Sequence, residues 1–249
     1  MTLLIQEQSD LKKTVSEITL ISFDLDNTLW DVSPVISSAE FKMRQWLNKN
    51  IQQFDQLYNR NEDQQLKEEL IRRKPHLKHN LSSLRREFLQ EAISTCGYKQ
   101  EQASELAETA FNIFYEERHN VTFFDGALEV LKQLSGQFTL AILTNGNADY
   151  NKLGLGNYFS FSLSAADLNA SKPDPAMFNA VLDRAGRSPN QAIHVGDSLV
   201  DDIAGASQVG MRTIWVNLEG LSPDDTLAIP DAAVESLREI PDAIKEICV

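Results

Sequence analysis

The sequence has few cysteines, and they form no recognisable cluster. Two occur among the 249 residues, Cys96 and Cys248, and they lie far apart in the chain. There is no CxxC pair and no Cys/His cluster, so the spacing predicts neither a disulfide framework nor a zinc site. Two incidental thiols are typical of a protein from a reducing compartment, and we therefore expect a cytoplasmic location.

Long hydrophobic runs and an excess of positive charge are also absent from the sequence. No apolar stretch approaches the ~20 residues that a membrane-spanning helix needs. The N-terminal stretch MTLLIQEQSDLKKTVSE has no basic segment followed by an apolar run, so it does not resemble a secretory signal. With 23 basic and 36 acidic residues the formal net charge is -13, which opposes binding to nucleic acid and to anionic membranes. A small anionic substrate is compatible with this charge if its site supplies a local cation.

Short apolar runs that end in turn residues recur along the chain. They are ITLISF (18–23), FTLAIL (138–143), AIHV (192–195), RTIWV (212–216) and a weaker run, FSFSLSA (159–165). Helical patterns between them occupy 126–134, 174–186 and 199–210. Buried parallel strands have this composition. The alternation of strands and helices predicts an α/β fold with a doubly wound, Rossmann-like parallel sheet.

One interval interrupts this alternation. From about residue 33 to residue 120 the sequence shows no convincing strand and has four polar helical patterns, at 39–51, 62–74, 81–95 and 101–118. Four helices in a segment of this length can form a small bundle. We therefore predict a helical-bundle cap domain at 33–120, inserted into a catalytic core that consists of 1–32 and 121–249.

Polar residues follow the apolar runs, at the positions where ligands bind in an open parallel sheet. In chain order they are Asp24, Asp26, Thr28, Thr144, Asn145, Gly146, Lys172, Asp197, Ser198, Asp201 and Asp202. Carboxylates, hydroxyls and one lysine are therefore expected on the same rim of the sheet. His194 lies inside an apolar run and is interpreted as a core histidine rather than a catalyst.

Asp24 and Asp26 are the most informative pair. On an extended backbone, residues two positions apart point to the same side, about 6.5 to 7 Å from each other. Asp197 adds a third acid from an adjacent strand end. Clustered carboxylates repel, and without a counter-charge at least one of them must hold a proton. Mg²⁺ removes this conflict because it takes oxygen ligands and leaves room for a substrate phosphate, so the pattern predicts a Mg²⁺ site that receives a phosphoryl group.

The spacing also suits a division of roles around a phosphoryl group. One aspartate can attack phosphorus and form an acyl phosphate. A second, two residues on, can protonate the leaving oxygen and later take a proton from water. Lys172 can offset surplus negative charge. The hydroxyls of Thr144 and Thr28 can donate to phosphoryl oxygens, and so can the backbone N–H groups of Asn145 and Gly146.

Four segments together point to one family. FDLDNTLWD, LTNGN, SKPDP and VGDSLVDDIAGASQVGM resemble, in the right order, the four motifs of the haloacid dehalogenase superfamily of phosphohydrolases. The resemblance covers about residues 18–235, and the helical insertion after the first motif resembles the family's helical, type 1 cap. It implies that Asp24 is the nucleophile and that Asp26 is the general acid/base.

The resemblance also implies the ligand-binding residues. Thr144 and Lys172 would bind phosphate, together with the backbone of Asn145. The Mg²⁺ ligands would be Asp24, the backbone carbonyl of Asp26, and Asp197. Family members carry a further acid four or five residues after the one that matches Asp197. Asp201 and Asp202 both qualify; we favour Asp202 as a supporting residue, and Thr28 and Ser198 complete the supporting set.

We therefore expect a cytoplasmic, Mg²⁺-dependent phosphatase that hydrolyses a small-metabolite phosphomonoester through an aspartyl phosphate. Residues 143–165, 171–178 and 194–206 are similar to bacterial phosphatases that act on flavin mononucleotide and on a phosphorylated ribitylaminouracil precursor of riboflavin. A nucleoside monophosphate or a sugar phosphate is an alternative substrate. The expected partner is one small phosphorylated metabolite, with no nucleic acid and no membrane, for a monomer or a homodimer.

Two other functions compete with this interpretation. One is a 2-haloacid dehalogenase, but the dehalogenases of the superfamily lack the second aspartate of the first motif, so Asp26 argues for a phosphatase. The other is a non-enzymatic phospholigand-binding protein, which has no need for a nucleophile and a proton shuttle together.

Overall fold

One parallel β-sheet organises the part of the chain that the computed structural model describes, residues 17–57, 60–221 and 228–248, with the backbone alone for residues 60–62. Its strand order is β3-β2-β1-β4-β5-β6. The strands are β1 Leu20–Phe23, β2 Thr139–Thr144, β3 Phe161–Ser164, β4 Ala192–Gly196, β5 Arg212–Val216 and β6 Ala232–Val234. The predicted doubly wound α/β fold is confirmed.

The five predicted strands are all present, because central strands that are buried on both faces read as continuous apolar runs. All four residues of β1 are buried between β2 and β4. The sequence did not predict β6, a three-residue edge strand that pairs with β5. A strand this short with one neighbour carries too few apolar residues to show a pattern.

Helices cover both faces of the sheet. One face packs against α6 (Ala127–Ser135) and α10 (Ile240–Ile247), in a cluster that includes Phe23 and Leu131. The other face packs against α8 (Pro175–Ala185) and α9 (Gly205–Gln208), in a cluster that includes Leu20 and Phe178. Side chains that alternate along β1 therefore feed two separate cores.

The segment between β1 and α6 is helical. It contains α1 Val32–Asn50, α2 Phe54–Leu57, α3 Arg60–Arg73, a 3₁₀ turn at Pro75–His79, α4 Leu81–Thr95 and α5 Gln100–Glu117. These helices bury their own apolar cluster, apart from the two sheet clusters. The four predicted helices are present, and the short α2 was missed. α1 starts at Val32 rather than at residue 39, because the Asp31 side chain caps it at 2.9 Å from the backbone N of Ser33.

Short elements complete the described chain. They are α7 Ala165–Leu168, 3₁₀ turns at Pro189–Gln191 and Leu237–Glu239, and a π-helical turn at Leu199–Ala204. The chain segment that leads into the helical region and the segment that leaves it lie side by side. An isolated antiparallel β-bridge between Trp30 and Phe123 joins them. None of the described helices combines the length and apolar composition that crossing a membrane requires.

Candidate active site

Lys172 is the central contact of the rim. Its Nζ lies 2.6 Å from Oδ1 of Asp24, the first residue after β1, and 2.6 Å from Oδ1 of Asp202, which lies in the π-helical turn after β4. The lysine itself precedes α8 and is 4% exposed. Three segments that are distant in sequence therefore meet in one buried ionic cluster.

The π-helical turn determines where Asp202 points. The Ser198 hydroxyl caps the turn by accepting a hydrogen bond from the backbone N–H of Asp201 at 3.0 Å. The backbone N–H of Ser198 donates to Oδ2 of Asp202 at 3.0 Å. Gly196 leaves the room for this carboxylate, because a Cβ there would lie 2.2 Å from Cγ of Asp202. π-helical turns are often found at functional sites.

His194 also contacts the Asp202 carboxylate. Its Nε2 lies 3.0 Å from Oδ1 of Asp202, and its Nδ1 lies 2.8 Å from Oγ of Ser22. Because the carboxylate only accepts, Nε2 carries the proton and the serine hydroxyl donates to Nδ1. His194 is buried in the core, as the sequence predicted, but it also fixes Asp202, which the sequence did not predict.

Asp24, Asp197 and Asp202 form an acidic cluster whose ligand atoms all lie within 4.8 Å of one another. With the Lys172 ammonium, the three carboxylates carry a formal net charge of -2. A divalent cation, with a charge of opposite sign and equal size, would balance that charge, and a hard cation prefers oxygen ligands such as these. The donor set therefore fits a divalent metal ion. Asp201 is not part of this cluster among the described residues.

Burial and the neighbouring charges shift the pKa values of the groups in the metal-free cluster. Burial raises the pKa of Asp24 to about 7, and burial together with the Asp202 charge raises the pKa of Asp197 to about 6. Burial alone would raise the pKa of Asp202, but Lys172 and His194 outweigh it and hold that pKa below its ordinary value. Burial alone would lower the pKa of Lys172, but Asp202 and Asp24 outweigh it and raise that pKa. Burial lowers the pKa of His194.

Asp197 is held by two contacts besides the cluster. Its Oδ1 accepts a hydrogen bond from the Thr28 hydroxyl at 3.1 Å, and its backbone carbonyl accepts one from Nε1 of Trp215 at 2.8 Å. In this structure Thr28 is fully buried and its hydroxyl is directed to Asp197.

Asp26 lies on the other side of the rim and contacts a residue that the sequence analysis did not single out. Nη2 of Arg118 lies 2.8 Å and 2.6 Å from the two carboxylate oxygens of Asp26. Nε of Arg118 donates to Oδ1 of Asn147 at 3.2 Å. Arg118 directly follows α5, outside the four sequence motifs, so only its return to the sheet in three dimensions identifies it.

Thr144 and Asn145, which the sequence predicts as anion contacts, lie at the end of β2 and in the loop that follows it. Thr144 is buried, and its hydroxyl oxygen accepts from the backbone N–H of Gly146 at 2.9 Å, which leaves the hydroxyl proton free to donate. The Asn145 side chain pairs with the backbone of Lys172 through two hydrogen bonds, at 2.8 Å and 3.0 Å. Asn145 therefore positions the lysine segment through its side chain, in addition to any contact by its backbone.

A cavity of about 470 Å³ opens beside this loop. Its lining includes Thr144, Gly146, Asn147 and Tyr150 from the loop and, from the helical segment, Ser82. Nδ2 of Asn147 donates to Oγ of Ser82 at 3.1 Å. The start of α4 therefore lies against the rim and walls the cavity.

Comparison with known proteins agrees with this geometry. The model of the haloacid dehalogenase-like hydrolases matches residues 18–210. The chain is 28% identical to the Escherichia coli 5-amino-6-(5-phospho-D-ribitylamino)uracil phosphatase YigB over 92% of this chain and 97% of that protein. It is 35% identical to a Thermus thermophilus phosphoserine phosphatase over 63% of each chain.

A solved structure is also similar. The crystal structure of a 2-haloacid dehalogenase from Pseudomonas syringae pv. Tomato DC3000 superimposes with a TM-score of 0.89 at 41% identity. The match covers 92% of this chain and 99% of that one.

Proposed function

The chain belongs to the haloacid dehalogenase-like hydrolase family, and from this membership we propose a Mg²⁺-dependent phosphatase that acts through an aspartyl phosphate. Two features of the rim, taken together, support this proposal. The acidic cluster fits a dication, and a separate carboxylate, Asp26, stands beside it without belonging to it. Phosphoryl transfer needs both a charge-neutralising site and an independent proton donor and acceptor.

Asp24 is the proposed nucleophile. Its carboxylate oxygen forms a bond to phosphorus while the bond from phosphorus to the ester oxygen breaks, and Asp26 gives that oxygen its proton. Asp26 then takes a proton from water as the water oxygen attacks phosphorus and releases phosphate and free Asp24. When bound, Mg²⁺ would neutralise and orient phosphoryl oxygens and would be held by Asp24, Asp197 and the Asp26 carbonyl, with Asp202 in support.

Lys172 and Thr144 are the proposed phosphate-binding side chains. Lys172 lies against Asp24, so its charge can offset the negative charge that accumulates when the carboxylate approaches phosphate. The Thr144 hydroxyl has a proton to donate, and the backbone N–H of Asn145 is proposed as a neutral donor, whereas that of Gly146 already donates to the Thr144 hydroxyl.

A 2-haloacid dehalogenase is the second candidate, and the similar structure with that name is the observation in its favour. In that reaction a carboxylate attacks carbon, halide leaves, and water hydrolyses the ester. No leaving group needs a proton, and no metal is used. The Asp26–Arg118 pair and the cluster charge of -2 have no role in such chemistry, so we favour the phosphatase.

The proposed substrate is a small phosphorylated metabolite, such as flavin mononucleotide or the phosphorylated ribitylaminouracil precursor of riboflavin. The similarity to YigB over 92% of this chain supports this choice. A nucleoside monophosphate or a sugar phosphate is the alternative.

Residues 33–120 are proposed to act as a cap that closes the site, with 1–32 and 121–249 as the catalytic core. We further propose that the protein is cytoplasmic, that it is a monomer or a homodimer, and that it binds neither nucleic acid nor membranes. The net charge of -13 supports the exclusion of polyanions.

One experiment separates the candidates. The purified protein is assayed for phosphate release from p-nitrophenyl phosphate, flavin mononucleotide and sugar phosphates, with Mg²⁺ or with a chelator. Chloride release from 2-chloropropionate is measured in parallel. We expect phosphate release that requires Mg²⁺ and no chloride release. Chloride release in the chelator, without phosphatase activity, would establish the dehalogenase instead.

The covalent route has its own test. Asp24→Ala removes the proposed nucleophile, so it should abolish turnover and the labelling of the protein by a radioactive phosphate ester. Among the described residues, no other carboxylate at the end of β1 contacts Lys172 and could replace it. Asp183→Asn, on the exposed side of α8, is the control and should leave both unchanged. Substantial turnover by the Asp24→Ala protein would contradict the aspartyl phosphate.

A further inference from the structure

We propose that Arg118 is a positioning residue that fixes the orientation of Asp26 for proton transfer; this inference rests on the proposed phosphatase function. The geometry is specific. One guanidinium nitrogen of Arg118 donates to both oxygens of Asp26, at 2.8 Å and 2.6 Å, so the carboxylate plane is held. The arginine side chain is 1% exposed, whereas that of Asp26 is 21% exposed and can reach a ligand.

The surroundings of Asp26 are shaped for this orientation. Gly146 passes so close that a Cβ there would lie 2.5 Å from Oδ2 of Asp26 and 3.5 Å from Nη2 of Arg118. Asn147, the next residue, orients the guanidinium through Nε. The loop after β2, which carries proposed phosphate contacts, therefore also leaves room for the Asp26–Arg118 pair and orients it.

Burial of Arg118 comes at an energetic cost that packing alone does not explain. Its Nη1 is buried without a hydrogen-bond partner among the described residues. A buried donor without a partner has lost its hydrogen bonds to water and gained none in return. This unpaired donor reduces the contribution of Arg118 to stability, while the contact of its Nη2 with Asp26 remains.

A purely structural clamp is the competing explanation, because Arg118 joins the end of α5 to the β2 loop. Two other contacts already make that connection. Nζ of Lys152 lies 2.6 Å from Glu116, and the backbone N–H of Asp149 donates to Nε2 of His119 at 2.8 Å. The contact that is unique to Arg118 among these three is the one with Asp26.

The test is a double-mutant cycle with two esters of different leaving groups. Arg118→Met, Arg118→Lys, Asp26→Asn and the Arg118→Met/Asp26→Asn double variant are assayed on p-nitrophenyl phosphate and on an alkyl phosphate, glycerol 3-phosphate. An alkoxide needs its proton from a general acid far more than p-nitrophenolate does. General acid catalysis contributes about 10²–10⁴-fold, so a misplaced acid shows on the alkyl ester.

We expect Arg118→Met to lower kcat/KM, which reports the steps up to departure of the leaving group, at least about tenfold more on the alkyl ester than on the nitrophenyl ester, a part of that range. Inhibition by inorganic phosphate should be unchanged. Arg118→Lys, which keeps the cation but not the planar guanidinium that contacts Asp26 and Asn147 together, should recover part of the kcat/KM. The double variant should be no slower than Asp26→Asn alone, because Arg118 acts through Asp26.

Lys152→Met is the control, since it breaks a different ion pair, the one that joins Glu116 of α5 to the loop after β2, and it should leave kcat/KM on both esters unchanged. Equal losses of kcat/KM on the two esters, or additive losses in the double variant, would overturn the inference while the wild type remains an active phosphatase. A wild type that releases phosphate from neither ester would overturn the proposed function as well.

Discussion

Lys172 is the residue on which the charge balance of the rim depends. Its ammonium is the cation in contact with Asp24 and Asp202, and it is almost completely buried. Removing one member of a buried ion pair leaves the other charge without compensation, which is more costly than the pair itself was favourable. Without the Lys172 ammonium, the buried carboxylates of Asp24 and Asp202 face each other.

Lys172→Met should therefore lower the free energy of unfolding of the metal-free protein by about 3–5 kcal/mol at pH 7.5. The loss should be smaller at pH 5, because protonation of Asp24, whose pKa is already raised, relieves the repulsion. Urea denaturation at the two pH values measures both effects. Lys245→Met, which breaks an exposed pair on α10, is the control and should change little. Equal losses at both pH values would contradict the electrostatic explanation.

Gly196 gives a second prediction at the scale of one residue. Gly196→Ala places a Cβ about where the Asp202 carboxylate lies, so this side chain must move away from Lys172 and His194. We expect a loss of roughly 1–3 kcal/mol in stability from overpacking, with a large loss of phosphatase activity. Gly136→Ala is the control, because φ is -78° there and the nearest atom would lie 3.7 Å from the Cβ. Unchanged activity in Gly196→Ala would show that Asp202 is dispensable.

At the scale of secondary structure, the sheet was predictable because burial on both faces leaves a strong signal. β1, β2, β4 and β5 have all or nearly all of their residues buried, and each was visible as an apolar run. The polar residues that follow these runs were predictable as rim residues for the same reason, since parallel strands place their carboxyl ends together.

The contacts that the sequence could not predict depend on chain segments that return from far away. Arg118 is 92 positions from Asp26, and its signal is one basic residue at the end of a polar helix. The second role of His194 depends on the π-helical turn that brings Asp202 over it, and the helical pattern at 199–210 does not distinguish a π turn from an α turn. Periodicity reports which face is buried, not the exact register of a turn.

The π-helical turn leads to a prediction of its own. Deleting Val200, which is 47% exposed, removes the extra residue of the turn and changes the direction of neighbouring side chains by about 100°. Asp202 then cannot meet Lys172 while Ser198 still caps the turn. We expect this deletion to abolish the increase in melting temperature that Mg²⁺ gives to the wild type. Val200→Ala keeps the register and should retain it. A full response to Mg²⁺ in the deletion variant would show that the π turn does not position Asp202.

At the scale of the whole molecule, the protein combines a net charge of -13 with a buried cluster of net charge -2. Bulk charge and local charge therefore both favour a cation at the rim. Protons and a dication compete for the same carboxylate oxygens, so the stability of the metal-free protein and its affinity for Mg²⁺ are linked through pH.

The contribution of Asp24 and Asp197 to the stability of the metal-free protein should fall as the pH rises from about 4 to about 7. In the folded state the pKa of Asp24 is about 7 and that of Asp197 about 6, against 3.8 for an ordinary aspartate. Across this window the folded state holds more protons on these two groups than the unfolded chain does, so their contribution to the free energy of unfolding falls with rising pH. Burial lowers the pKa of His194 from 6.5, so this group contributes in the opposite direction. Mg²⁺ should then raise the melting temperature more at pH 8 than at pH 5, because at pH 5 protons occupy the same oxygens.

Asp24→Asn isolates this effect from the rest of the negative surface, since it removes one charge of the cluster and leaves the other acids in place. The metal-free variant should be more stable than the metal-free wild type at pH 8 and should lose most of its response to Mg²⁺. At pH 4, where the wild-type carboxyl is protonated and neutral like the amide, the two proteins should be similar in stability. Calorimetry at both pH values, with Mg²⁺ or with a chelator, measures all three differences. A variant that is less stable than the wild type at pH 8 would show that Asp24 is already compensated by Lys172, so that the rim has no excess charge for a metal ion to neutralise.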